Sequence, residues 1–336
     1  MAKKGVDRTD VRLLYELDMN SRQPLSKLAR KIRCSTQVAW SRLQSLQSEG
    51  KVICFLPLIN HEKLGSHFQA MCFLKLQRIS ASELDSFLKK AAQDQQCTIS
   101  LGCAGAYEAI IGTVAVDLVE AKEVMGRLLS PLGDRVRECD MEIITSAHHY
   151  GRRYFLEDLG LEHFRAPIIR TGIFGQGSAK ESQAPSAGQT EIKILKAISS
   201  NARLPLLEIA SKAGCSPQTA RSRLRELARR GAIAKYGTVL NPSAYGYVFF
   251  RLKTLLSQAG RKPKPDLAGY LKRYPEVFRL SELFSINGYL IDIVAKDDER
   301  VREIMDGMRD DYPDSIALLE LMRVNSIFKF CYFQEI

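Results

Sequence analysis

The first fifty or so residues repeat apolar positions every three to four residues, which is typical of short amphipathic helices. A run of β-branched and apolar residues follows and indicates a strand. The predicted elements are three helices and one strand, at Arg8–Met19, Leu25–Ile32, Ser35–Glu49 and Val52–Ile59. Two helices followed by a third after a tight turn form the helix-turn-helix pattern, in which the third helix enters the major groove of DNA.

The same pattern recurs later in the chain. Sliding the sequence along itself by 181 residues brings identical residues into register. The matches include Asn20, Arg22, Cys34, Ser35, Arg42, Leu43, Leu46 and Gly50, which meet Asn201, Arg203, Cys215, Ser216, Arg223, Leu224, Leu227 and Gly231. The second half therefore repeats the three helices and the strand, the latter at Ile233–Leu240. We interpret the repeat as an internal duplication.

Each helical region is followed by segments in the order strand, helix, strand, strand, helix, strand. In the first half the strands are predicted at His67–Leu76, Thr98–Cys103, Ala109–Val116 and Arg137–Ile144, and the helices at Ser80–Gln93 and Leu118–Leu129. In the second half the strands are predicted at Val248–Leu256, Val277–Leu283, Tyr289–Ala295 and Ile316–Met322, and the helices at Pro265–Tyr274 and Asp298–Asp310. A βαββαβ order folds most simply into a ferredoxin-like antiparallel sheet with both helices on one face.

The predicted fold class is thus α+β, with two repeats, each a winged-helix-like helix-turn-helix domain followed by a βαββαβ ferredoxin-like domain. The expected segments are helix-turn-helix domains at 1–60 and 191–241, ferredoxin-like domains for ligand binding or dimerisation at 61–165 and 242–336, and a flexible linker at 166–190. The linker assignment rests on Thr171–Thr190, which is rich in Gly, Ser, Ala and Gln. The sequence leaves His148–Arg170 and Val324–Ile336 without a clear assignment.

Positive charge is concentrated in the two helical regions. Residues 1–60 hold 11 Lys and Arg against 5 Asp and Glu, and residues 190–240 hold 10 against 3, although the whole chain carries only +11. This placement is expected if each region faces phosphate, and two solvated basic surfaces explain it about as well.

The third helix of each module carries the candidate DNA contacts. Ser35 and Ser216 stand where their hydroxyls can cap the helix, and Val38, Leu43 and Leu46 are expected to face inward. The candidates are Ser35, Thr36, Gln37, Trp40, Ser41, Arg42 and Gln44 in the first half, and Ser216, Gln218, Arg221, Ser222, Arg223 and Arg225 in the second. Gln and Arg can pair with purine edges, and Ser and Thr suit phosphates or bases.

Two of these assignments stay open at this point. Trp40 is as well explained by partial burial as by contact with a base or sugar, and Arg42 and Arg223 suit either a phosphate or a bracing carboxylate. The candidate face of the third helix is nearly neutral in the first half and rich in arginine in the second half. We therefore predict that the two modules bind unlike halves of an asymmetric site.

Both modules resemble the Lrp/AsnC family of leucine-responsive and asparagine regulators. The shared pattern, Ser-x6-Arg-Leu-x2-Leu-x3-Gly-x-Val/Ile, runs from Ser35 to Val52 and from Ser216 to Ile233, and Asn60…Gly65 and Asn241…Gly246 extend it. The resemblance implies an archaeal or bacterial transcription regulator that binds specific double-stranded DNA, is cytoplasmic and nucleoid-associated, and pairs its sheet domains. Here that implies a pseudo-dimer within one chain, or a subunit of a homo-oligomer.

In that family a Gly-x-Tyr/Phe-Asp turn lies near an amino-acid effector site. The first half has Gly105-Ala106-Tyr107-Glu108, with Glu in place of Asp, and the second half has Ser285-Ile286-Asn287-Gly288 in that register. Gly105, Tyr107 and Glu108 are thus weak candidates for binding a small-molecule effector, and a plain hairpin turn is the favoured interpretation.

Two other functions compete with a specific regulator. Siroheme-decarboxylase-like enzymes share this scaffold, but the stretches where a histidine motif is expected, Thr98–Tyr107 and Phe278–Tyr289, contain no His. The cluster His148–Arg153 suits an acidic tetrapyrrole, although we expect it to be a surface tail. The other alternative is a non-specific architectural DNA- or RNA-binding protein.

We expect no enzyme activity, no cofactor and no metal, since the eight cysteines form no C-x-x-C pair and no catalytic motif is found. No apolar run reaches the length of a membrane span.

Overall fold

The computed structural model describes residues 6–64, 67–157, 168–172, 187–257, 266–285 and 287–333. The helices are α1 (Arg8–Met19), α2 (Leu25–Lys31), α3 (Thr36–Ser48), α4 (Ala81–Gln93), α5 (Leu118–Leu129), α6 (Tyr154–Glu157), α7 (Gln189–Ile198), α8 (Leu206–Ala213), α9 (Pro217–Arg229), α10 (Leu267–Tyr270) and α11 (Asp298–Asp311). The strands are β1 (Val52–Ile59), β2 (Phe68–Leu76), β3 (Cys97–Gly105), β4 (Ala109–Ala115), β5 (Val136–His149), β6 (Ile169–Gly172), β7 (Ile233–Leu240), β8 (Val248–Leu256), β9 (Val277–Leu283), β10 (Gly288–Ala295) and β11 (Ile316–Phe330).

Each half builds an antiparallel sheet in the order of a ferredoxin-like unit. The first half gives β5-β2-β4-β3 and the second gives β11-β8-β10-β9. These orders follow from the βαββαβ sequence, in which the last strand lies outside the first. The outer faces pack on helices; Phe87 and Leu88 of α4 and Val124 of α5, for example, cover the first sheet.

The sequence predicts one sheet in each half. In the structure the two sheets join at their edges and close into a single eight-stranded ring. Strand β5 pairs with β2 as far as Ile144, and from Ile144 to His149 it pairs with β9. Strand β11 pairs with β8 and then along β3 as far as Phe330. Both strands run beyond their predicted ends at Ile144 and Met322, and the added residues form the pairing between the halves.

The ring encloses a buried charge cluster. Asp292 of β10 lies between Arg251 and Arg279 of the neighbouring strands, and all three side chains are at most 1% exposed. Arg251 Nε donates to Asp292 Oδ1 at 2.7 Å, and Arg279 Nε lies 2.8 Å from Asp292 Oδ2. Two guanidinium groups therefore share one carboxylate away from water.

The helical modules lie beside the ring and are tied to each other. Strands β1 and β7 pair antiparallel as a two-stranded ribbon, to which each module contributes one strand. Arg22 Nη1 donates to the carbonyls of Ala202 and Leu204 (3.1 Å for Leu204), and Arg203 Nη1 donates to those of Ser21 and Gln23 (3.4 Å for Gln23). These reciprocal contacts fix one module relative to the other.

Two predicted segments differ in detail. The helix expected at Pro265–Tyr274 is only the four-residue α10 followed by a 3-10 turn at Leu271–Arg273, because Gly269 disfavours a longer helix. Ile169–Gly172, expected within the linker, pairs with the end of β5 as β6. The rest of the predicted linker up to residue 186, together with Gly65 and Ile286, lies outside the described residues. In the part of the chain that is described, no helix combines the length and apolarity needed to cross a bilayer.

The charge cluster yields a stability prediction. Asp292→Asn leaves two buried guanidinium groups without a counter-charge, so we expect the free energy of unfolding to fall by about 3–5 kcal/mol. Urea unfolding followed by circular dichroism measures the change. Asp306→Asn is the control, because Asp306 forms an exposed pair with Arg309. A variant at position 292 as stable as the parent protein would contradict the account.

Candidate nucleic-acid interface

The third helix of each module starts at a serine cap. Ser35 Oγ accepts a hydrogen bond from the Val38 amide at 3.2 Å, and Ser216 Oγ accepts one from the Thr219 amide at 3.1 Å. Pro217 follows at the first helical position, where its missing N–H costs least. The predicted caps are confirmed, and they define where α3 and α9 begin.

The inward face of α3 differs from the prediction at one position. Ala39, Leu43 and Leu46 are buried, whereas Val38 is 43% exposed. The prediction for Val38 was wrong because Ala39, not Val38, lies one turn before Leu43. On α9 the corresponding residues Ala220, Leu224 and Leu227 are buried.

The outward face of α3 is exposed and carries little free charge. The exposed candidates on it are Thr36, Gln37, Trp40, Ser41 and Gln44. Trp40 is 55% exposed, so its indole is available to a partner rather than packed in the core. This face offers amide and hydroxyl groups beside two apolar side chains, Val38 and Trp40.

Arg42 points to the first helix of its own module. Its Nη1 donates to Asp7 Oδ2 and to Asp10 Oδ1, both at 2.7 Å. The hydrogen bond to Asp10, followed by that to Asp7, raises the pKa of Arg42 above its ordinary value. Its charge is therefore compensated within the module. This favours bracing of the fold by a carboxylate over contact with a phosphate.

The outward face of α9 is strongly basic. Gln218, Arg221, Ser222, Arg223 and Arg225 all lie exposed, and with Glu226 and Arg229 they line an open groove along the helix. Arg223 Nη1 is 3.8 Å from Glu191 Oε1, a carboxylate that Arg230 also holds at 2.9 Å. Within the described chain, Arg221 and Arg225 form no ion pair, so their charges are available to phosphate.

The weak effector candidates lie at the β3–β4 turn and form contacts within the protein. The buried Tyr107 hydroxyl donates to Asp140 at 2.7 Å, and the Glu108 carboxylate accepts from the Leu76 amide at 2.7 Å. Gly105 has φ +119°, and a β-carbon there would collide with the carbonyl of Leu321. All three residues hold the β3–β4 turn in place, which agrees with the hairpin interpretation.

The cluster His148–Arg153 is not a surface tail, and that expectation was wrong. Strand β5 continues to His149, which is buried, and Tyr150 is buried behind it. Arg152 Nε lies 3.3 Å from Asp18 Oδ1 and Arg153 donates to the carbonyl of Lys272 at 2.7 Å. Among the described residues, no three His, Cys, Asp or Glu side chains group as metal ligands.

Sequence reasoning missed two cations that are largely shielded from solvent, Lys235 and Arg279. The available signal was an arginine or lysine within an otherwise apolar strand, as in Val277-Phe-Arg-Leu280. A strand pattern alone does not reveal which of its faces is enclosed.

Comparison with known proteins supports the helix-turn-helix assignment. The family model for winged helix-turn-helix DNA-binding domains matches residues 189–234. The HTH-type transcriptional regulator FL11 of Pyrococcus horikoshii is 27% identical over 114 residues, which are 34% of this chain and 74% of that protein. The HTH-type transcriptional regulator AldR of Mycolicibacterium smegmatis is 25% identical over 136 residues, which are 40% of this chain and 80% of that protein. The predicted resemblance to regulators of the Lrp/AsnC type is confirmed.

A likeness to solved structures extends over nearly the whole chain. The siroheme decarboxylase NirDL aligns over 98% of this chain and 94% of its own, with a TM-score of 0.57 and 12% identity. At that identity the likeness concerns the fold alone.

The caps can be tested on stability. Ser216→Ala removes the acceptor for the Thr219 amide, so we expect unfolding to require about 1 kcal/mol less. Ser222→Ala makes the same chemical change inside the same helix, where Ala is the better helix former, and should cause no loss. Urea unfolding curves of the two variants compare them directly. Equal stability of both variants would remove the capping role.

Proposed function

Given this resemblance to Lrp/AsnC-type regulators, we propose that the chain is a transcription regulator that binds specific double-stranded DNA with both of its helix-turn-helix modules. The supporting observation is that α3 and α9 each present an exposed polar face, while Arg22 and Arg203 hold their modules in one relative position. Two recognition helices at a fixed separation suit two half-sites on one duplex.

We infer that the chain is a duplicated unit that acts as its own dimer. The strand pairs β3–β11 and β5–β9 join the halves edge to edge, and the β1–β7 ribbon joins their helical modules. A single chain would then supply both recognition helices without a second subunit. Assembly into a larger homo-oligomer is compatible with this arrangement, since α4, α5 and α11 each carry exposed side chains.

The two half-sites should differ in sequence. Helix α9 offers Arg221 and Arg225, which suit phosphate or the acceptor edge of guanine. Helix α3 offers Gln37 and Gln44, which suit adenine, beside Val38, whose apolar side chain suits a thymine methyl group. The operator would therefore be asymmetric, with most of the electrostatic attraction on the α9 side.

This asymmetry predicts a salt effect. In the double variant Arg221→Ala/Arg225→Ala, we expect weaker binding and a slope of log affinity against log salt that is shallower by about one unit per lost phosphate contact. Fluorescence anisotropy on a DNA fragment selected by the protein, measured at several salt concentrations, gives the slope. Arg302→Ala/Arg309→Ala removes two arginines from α11, which packs on the second sheet and is not part of a helical module, and is the control.

An unchanged slope in the α9 double variant, or an equal change in the α11 control, would contradict this proposal. Selection of bound fragments from random DNA separates specific from architectural binding. Enrichment of an asymmetric motif supports a regulator, whereas the absence of any motif identifies a non-specific binder.

A second candidate function is a siroheme-decarboxylase-like activity, which the match over nearly the whole chain favours. Buried His149, together with Arg152, whose side chain is 13% exposed, adds groups of a kind that an acidic tetrapyrrole requires. Against it, the stretch before the third strand of each sheet has no His. Mixing the protein with siroheme and recording the absorption spectrum decides the matter, because an unchanged spectrum rules this activity out.

A further inference from the structure

A cleft lies between the β1–β7 ribbon and the closed sheet. Its empty space is about 690 Å³, part of it open to solvent. Leu56 and Val239 of the ribbon form one wall, and Phe249, Phe278 and Phe330 of the sheet form the other. Apolar walls with a few polar groups among them are typical of a small-molecule site.

The polar groups of the cleft carry an excess of positive charge. Lys235 Nζ and Arg152 Nε each lie 3.3 Å from the buried carboxylate of Asp18. The three side chains are at most 13% exposed. Two cations thus share one anion, and burial away from water makes the unbalanced charge unfavourable.

A second, smaller chamber shares His149 and Tyr332 with the lining of the cleft, and its space of about 330 Å³ includes open solvent. Arg279 lines this chamber and is 1% exposed. Its Nη1 lies 3.5 Å from the Tyr332 hydroxyl, and its Nη2 has no hydrogen-bond partner among the described residues. Because Asp292 is shared with Arg251, this cluster also has one positive charge in excess.

The pKa of the neighbouring His149 is shifted by this environment. Burial, followed by the charges of Arg279 and Lys235, holds the pKa of His149 well below its ordinary value. The ring is therefore neutral near pH 7 and does not itself add to the excess. An unpaired guanidinium donor beside an apolar cleft is an arrangement that an anionic ligand completes.

We propose that the cleft and its side chamber bind a small organic carboxylate, whose carboxylate group accepts from Arg279 Nη2 and whose apolar body lies between the ribbon and the sheet. This site is distinct from the turn at Gly105–Glu108. Binding there does not depend on the proposed function, although its regulatory consequence does. Because the ribbon carries both helical modules, an occupied cleft would favour one separation of α3 and α9.

Calorimetry without DNA tests the binding. The probes are phenylacetate and hexanoate, and their neutral amides, phenylacetamide and hexanamide, are matched controls. We expect the carboxylates to bind at least about tenfold more tightly than the amides, since a hydrogen bond to a charged group is worth more than about 1.4 kcal/mol. Equal affinities within each pair, or no heat from either carboxylate, would overturn the proposal.

Variants locate the site. Arg279→Gln removes the guanidinium and should weaken phenylacetate binding at least about tenfold. Arg153→Gln is the matched control, because Arg153 donates to the carbonyls of Lys272 and Tyr274 rather than lining the cleft. Unchanged affinity in Arg279→Gln, or equal losses in both variants, would contradict the assignment.

The parent protein provides a test that needs no variant. If Arg279→Gln does not fold, intermolecular nuclear Overhauser effects decide the question. Contacts between the phenylacetate ring and Phe249 and Phe278 support the site, and contacts confined to other surfaces overturn it. Any effect of phenylacetate on DNA affinity is measured separately, so failure of the DNA-binding proposal remains distinguishable from failure of this one.

Discussion

The pairing of β5 with β9 and of β11 with β3 is the constraint on which the rest of the structure depends. Without it each four-stranded sheet would have two open edges, with unpaired backbone groups along each. Because β5 and β11 each leave one sheet and continue along the other, the closed ring needs both halves of the chain. The enclosed arginines, the ribbon and the helical modules all take their positions from this ring.

Because both halves belong to one chain, the two helical modules can be held together and still carry different outward faces on their third helices. In a symmetric dimer the two recognition helices must be identical. Here Arg221 and Arg225 stand on α9, while the corresponding positions of α3 are Trp40 and Gln44. The reciprocal contacts of Arg22 and Arg203 hold the two modules together, while the surfaces of their third helices differ.

Local pattern predicted the elements well, since α1, β1, α5 and β7 have the predicted bounds. It failed where a contact far along the chain decides the structure, as in the continuation of β5 and β11. For Val38 the signal was present, because a shift of 181 residues aligns the buried Ala220 with Ala39. The Arg279 environment could not be predicted, because it requires knowing that β9 faces the inside of a closed sheet.

The ratio of cations to anions in the buried charge clusters helps to distinguish a structural role from a ligand-binding role. An ion pair that only stabilised the ring would need one arginine for Asp292, and apolar side chains of similar size would serve at least as well. Instead Arg279 is added to a pair that Arg251 already completes, and its side chain lines a chamber. Asp18 likewise meets two cations at the cleft. A surplus cation at each of the two cavities is costly by itself and would be offset by an anion bound there, so the surplus supports the proposed ligand site rather than a purely structural role.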